Sequence, residues 1–115
     1  MSLNKTQQEF TECVGLLIHY AFTFGYGLTF GDAYRDPRVH GELGTKKAYG
    51  SAKSCHKVRL AIDFNLFLDG EYIANGNHPA WKVLGEMWED CHPLARWGGR
   101  FQDSCHFSFE YRGAK

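Results

Sequence analysis

The amino-acid sequence predicts an α+β fold, with two helices packed against a small, mostly antiparallel sheet. Two kinds of periodicity carry that expectation. Apolar residues recur at helical spacing in two stretches: Phe10, Cys13, Val14, Leu17, Ile18 and Ala21, then Trp81, Leu84, Trp88 and Cys91. Two other runs, residues 60–67 and 105–111, alternate with the two-residue period of a strand.

Each element follows from local signals. Thr6-x-x-Glu9 has the form of a capping box and predicts a helix over about residues 6–22, ended by Gly25 and Gly27. Residues 28–35 read as a strand bulged at Gly31. Residues 36–53 turn polar and Gly-rich, which predicts a long loop containing His40. In the strand over 60–67, Leu60, Ile62, Phe64 and Leu66 share one face, and Ala61, Asp63, Asn65 and Phe67 the other. Asp69-Gly70 signals a hairpin turn into a strand over 72–74. Pro79 suits the first position of a helix, so His78-Pro79 opens the second one. Residues 97–101 form a turn. In the last strand Phe107, Phe109 and Tyr111 take the core face, and His106, Ser108 and Glu110 the opposite one.

Composition bounds the function. A chain of 115 residues with 43% hydrophobic and 16% aromatic residues is expected to form a single domain, 1–115, and is not of disordered composition. Formal net charge is zero, without the basic footprint of a nucleic-acid binder. No stretch approaches the roughly 18 apolar residues of a membrane span. The first residues lack a signal-peptide layout, so synthesis in the cytoplasm is expected. Cys13, Cys55, Cys91 and Cys105 contain no Cys-x-x-Cys pair, which argues for free thiols over a structural zinc site.

The chemistry gathers on polar strand faces. His56 precedes the strand that carries Asp63, and His106 opens the last strand, three residues after Asp103. Two imidazoles and a carboxylate are a standard zinc set when a fourth position stays open to water. Cys55 and Cys105 flank the two histidines. Neighbours on an extended chain point to opposite faces, so neither cysteine is expected to be a ligand.

The spacing Ser54-x-His56-x-x-Arg59-x-Ala61-x-Asp63, followed by Asp103-x-x-His106-Phe107, resembles the zinc peptidase family of D-alanyl-D-alanine carboxypeptidases and vancomycin-resistance dipeptidases. It is most similar to the phage endolysin branch, the L-alanyl-D-glutamate endopeptidases, which carry Asp at the position of Asp103. The resemblance covers roughly residues 6–110 and implies a Hedgehog/D,D-peptidase-like fold. By that resemblance His56, Asp63 and His106 hold zinc (Zn2+) and Asp103 is the catalytic base. Arg35 then assists at the developing oxyanion, and Ser54 binds substrate. The implied substrate is the peptide stem of bacterial peptidoglycan. The implied setting is the cytoplasm of a host bacterium, with action on the wall after the membrane is permeabilised. Two alternatives stand beside this reading: a D-alanyl-D-alanine carboxypeptidase or dipeptidase, and a non-catalytic zinc-containing module that binds cell wall. Lys46, Lys47, Lys53 and Lys57 surround the first motif, either as a solvated loop or as receivers of substrate carboxylates. Arg59 departs from the family, which usually has glycine there, and a large cation at this point is expected to affect which stem peptide fits.

Overall fold

The computed structural model describes residues 2–31 and 55–111. Arg35, His40, Lys46, Lys47, Lys53 and Ser54 lie outside the described residues. Among those described, two α-helices pack on a five-stranded antiparallel sheet, which is the α+β arrangement the periodicities predict. None of these helices is long and apolar enough to cross a membrane.

Helix α1 spans Leu3–Thr23. It begins earlier than the sequence suggests because Ser2, not Thr6, caps it: the Ser2 hydroxyl accepts from the Lys5 amide at 3.2 Å. Thr6 is buried and donates its hydroxyl to the Ser2 carbonyl at 3.0 Å. Glu9 points elsewhere, to His92 Nε2 at 2.7 Å, so the expected capping box is replaced by a bond between distant segments. Gly25, at φ 77°, makes the left-handed exit from the helix. Gly27 lies inside the next strand, β1 (Tyr26–Phe30), and takes no part in ending the helix.

A 3-10 turn, Cys55–Val58, leads into β2 (Ala61–Leu68). Its exit is a Schellman motif. The Leu60 amide donates to the Cys55 carbonyl at 2.9 Å, and the Arg59 amide to that of His56 at 3.3 Å. Arg59 sits at the left-handed position of this motif, φ 58°, where a Cβ is penalised and glycine is favoured. Arg59→Gly is therefore expected to stabilise the fold by about 0.5–1 kcal/mol. Chemical denaturation should show a higher midpoint at unchanged slope. A lower midpoint would mean that contacts of the arginine side chain outweigh the backbone strain.

Beyond β2, Asp69 (φ 52°) and Gly70 (φ 81°) are both left-handed, as a type I′ hairpin requires. The hairpin returns through β3, a short strand of Glu71–Tyr72 rather than 72–74. Helix α2 spans Pro79–Cys91, with His78 Nδ1 accepting from the Ala80 amide at 3.1 Å. Then come β4 (Ala95–Trp97), a 3-10 turn (Gly98–Phe101) and β5 (His106–Phe109). The sheet order is β1-β2-β5-β4, with β3 on the outer part of β2.

The core lies between sheet and helices. Trp88 is fully buried and donates Nε1–H to the carbonyls of Ser108 and Arg96, at 3.1 and 3.2 Å. Phe10 meets both Trp88 and Phe109 edge-to-face, with centroids 5.6 and 5.3 Å apart, tying α1 to α2 and β5. Every residue of β5 is buried, Ser108 included, so its two faces are both covered and not split into core and solvent sides.

Candidate metal centre

Packing of the core against β2 and β5 fixes their register, and the register makes the site. Asp63 and His106 are direct cross-strand partners in the β2–β5 pair. His56 arrives from the 3-10 turn just before β2, not from a strand. The Asp63 Oδ1 oxygen lies 3.1 Å from His106 Nδ1 and 3.3 Å from His56 Nε2. The two imidazoles meet edge-to-face with centroids 5.1 Å apart.

These three residues form the group capable of holding a metal ion among the described residues, with their ligand atoms all within 4.8 Å of one another. The donor set fits zinc in kind, since imidazole nitrogen and carboxylate oxygen are both regular zinc ligands. Bonds of ~2.0–2.2 Å in a tetrahedron place neighbouring ligand atoms roughly 3.3–3.6 Å apart, and the two separations at Asp63, 3.1 and 3.3 Å, are close to that. His56 is 1% exposed and His106 6%, so their rings are already held by packing, while the Asp63 side chain keeps 20% exposure. A site reached by solvent only at its carboxylate suits an ion with one open position.

Electrostatics agree with the geometry. Burial pushes the Asp63 carboxyl up. The hydrogen bond from His106 and the close approach of His56, with their charge, more than reverse that and hold it at about 2. Asp63 is thus an anion throughout the neutral range.

Asp103 stands one turn ahead of His106. Its amide donates to the Gly98 carbonyl at 2.8 Å, and its carbonyl accepts from the His106 amide at 3.0 Å. The carboxylate accepts from the Cys105 thiol at 3.5 Å. Burial raises that thiol to about 12, and the negative charges of Asp63 and Asp103 add to the effect. Cys105 lies in the turn before β5, so strict alternation does not govern it; the bond to Asp103 orients it. Cys55 turns inward, fully buried, and donates to the Phe109 carbonyl at 3.2 Å. All four cysteines are free thiols.

Gly98 keeps the loop tight. A Cβ there would lie 2.1 Å from the Asp103 carbonyl oxygen and 2.7 Å from His106 Cβ. The first obstacle is backbone, which cannot rotate away. Gly98→Ala is expected to cost at least about 1–3 kcal/mol and to displace Asp103 and His106 together. Denaturation and zinc content measured on the same variant test this. Wild-type values in both would show that the loop has another way to accommodate a methyl group.

The structure brings together His56, Asp63 and His106, and ties Asp103 to His106 through the backbone. Arg35 and Ser54 fall outside the described residues. Lys57 is buried at 5% exposure and is not part of a solvated basic loop. A neighbouring cavity of about 600 Å³, which no motif in the sequence marks, has Asp103, Cys105 and Asn65 in its wall. Asn65 could have signalled it, being two residues beyond Asp63 on the same face of β2.

A family model described as D-alanyl-D-alanine carboxypeptidase matches residues 48–109, more than half of the chain and including all four of these residues. Comparison with curated proteins found no significant match.

Proposed function

The chain belongs to the D-alanyl-D-alanine carboxypeptidase family, and we propose that it is a zinc peptidase that hydrolyses the peptide stem of bacterial peptidoglycan as an L-alanyl-D-glutamate endopeptidase of the endolysin kind. The observation that carries the metal reading is the meeting of two buried imidazoles on one carboxylate oxygen, at 3.1 and 3.3 Å. His56, Asp63 and His106 would hold the ion. Bound there, zinc supplies a Lewis acid that acidifies water and polarises a carbonyl.

The remaining steps belong to the chain. Asp103 takes a proton from the attacking water and returns it to the leaving amine as the peptide C–N bond breaks. Its backbone is anchored by the Gly98 carbonyl and the His106 amide, which supports this placement of the base. Arg35, which the resemblance assigns to the developing oxyanion, completes the set. A base beside a metal-capable triad favours an enzyme over a pure wall-binding module, because binding alone needs no proton acceptor there. In this reading the enzyme is made in the cytoplasm and meets its substrate after the inner membrane is permeabilised.

The family description itself favours a second reading, removal of a terminal D-alanine. Mass analysis of products from defined muropeptides separates the two. The endopeptidase splits the stem between L-alanine and D-glutamate, whereas a carboxypeptidase releases D-alanine alone. Stem peptides that remain intact with zinc-loaded protein contradict both.

A further inference from the structure

We propose that the cavity beside Asp103 receives an acidic residue of the substrate, and that Lys82 is the specificity-determining residue that selects for its carboxylate. This inference rests on the peptidase reading above and names the substrate feature that the site prefers.

Position comes first. The cavity is not a remote surface hollow, because Asp103 and Cys105 belong to its wall. The Cys105 thiol bonds the Asp103 carboxylate. Asn65, also in the wall, lies two residues along β2 from Asp63 on the same strand face. A substrate whose scissile bond lies at Asp103 therefore extends into this space. At about 600 Å³ the cavity is within the range of sites that enclose a sizeable ligand, roughly 300–1,000 Å³. It holds more than a single terminal alanine.

Charge comes second. Among the described lining residues Asp103 is the only carboxylate, and Lys82 the only lysine or arginine. Lys82 is exposed, stands on the first turn of α2 and lines the cavity, and its flexible stem leaves the ammonium free to meet a ligand there. Trp81 and Tyr72 add aromatic wall, which suits the methylene carbons of an acidic side chain. A second negative group on the ligand is repelled from Asp103 and drawn to Lys82. An ion pair at such a rim typically contributes up to roughly 5-fold in affinity, and somewhat more where the cavity excludes water.

The test uses two stem peptides that are identical except that the glutamate carboxylate not in the chain is free in one and amidated in the other. Wild-type zinc-loaded protein is expected to favour the free acid by about 5–10-fold in kcat/KM, through KM and not kcat. Lys82→Met should bring that ratio close to 1, Lys82→Glu should invert it, and Lys82→Arg should restore the preference. A ratio unchanged in Lys82→Glu overturns the proposal, as does an equal loss on both peptides. If wild-type protein cleaves neither peptide, the proposed function fails. The same pair titrated into wild-type and Lys82→Glu protein, read by tryptophan fluorescence from the cavity wall, then decides Lys82 independently. Binding that favours the acid in the wild type alone supports it, and equal or absent binding overturns it.

Discussion

Asp103→Asn is expected to lower turnover on peptidoglycan stems by at least about 10²-fold while zinc content stays near one per chain. General acid–base groups typically contribute ~10²–10⁴-fold to rate. The substitution removes the proton acceptor and little else. Asparagine matches the shape of aspartate, and its amide oxygen can still accept from the Cys105 thiol, which now bonds the carboxylate at 3.5 Å. The backbone anchors of residue 103, to Gly98 and His106, do not involve the side chain. Asp103 is also exposed, so no core packing depends on it. Parallel zinc analysis and steady-state kinetics check both halves of the expectation. A variant that holds zinc and cleaves at the wild-type rate removes Asp103 from the mechanism. If zinc is lost instead, the residue belongs to the ligand set.

His106→Ala should behave differently and lose metal and activity together. The ring is 6% exposed, contacts Phe101 and His56, and shares Asp63 Oδ1 with His56. Removing it deletes one of the three proposed ligands and opens a hole beside a buried imidazole. A cost of about 2–4 kcal/mol to the metal-free fold is expected from the cavity and the lost partner of Asp63. Because folding and metal binding are coupled, loss of activity here says little about catalysis by itself. The pair of variants is informative: Asp103→Asn keeps zinc without turnover, and His106→Ala keeps neither. Retention of a full zinc complement by His106→Ala would take that residue out of the ligand set.

Much of this was legible in the sequence where a signal was local. His78-Pro79 marked the start of α2, Asp69-Gly70 marked the hairpin, and the alternation along 60–67 put Asp63 and Asn65 on one face. Local signals misled where a distant partner competed for the same group. Glu9 had the spacing of a capping box with Thr6, but His92 claims it, and Ser2 caps the helix instead. Strand β4 is only Ala95–Trp97, too short to show a period, and it exists because it pairs with β5. Its Trp97 ring also packs where Gly85 leaves no side chain on α2. The site shows the same division. Candidate ligand types and strand faces could be read from the chain, but the register that places Asp63 opposite His106 is a tertiary property. The glycine that the resemblance expects at position 59 has a backbone reason, a left-handed position in a Schellman motif, which spacing alone does not reveal. No local signal marks Lys82, because the packing that puts α2 and Asp103 around one cavity is tertiary.

The proposed function depends on a catalytic zinc held by His56, Asp63 and His106. Its most direct measurement is elemental analysis and stem-peptide hydrolysis on one preparation, before chelation, after chelation and after zinc is returned. The expected result is one zinc per chain, hydrolysis lost with the metal, and hydrolysis recovered when zinc is restored. Protein purified without chelator that contains no transition metal and hydrolyses stems fully in chelator would contradict it.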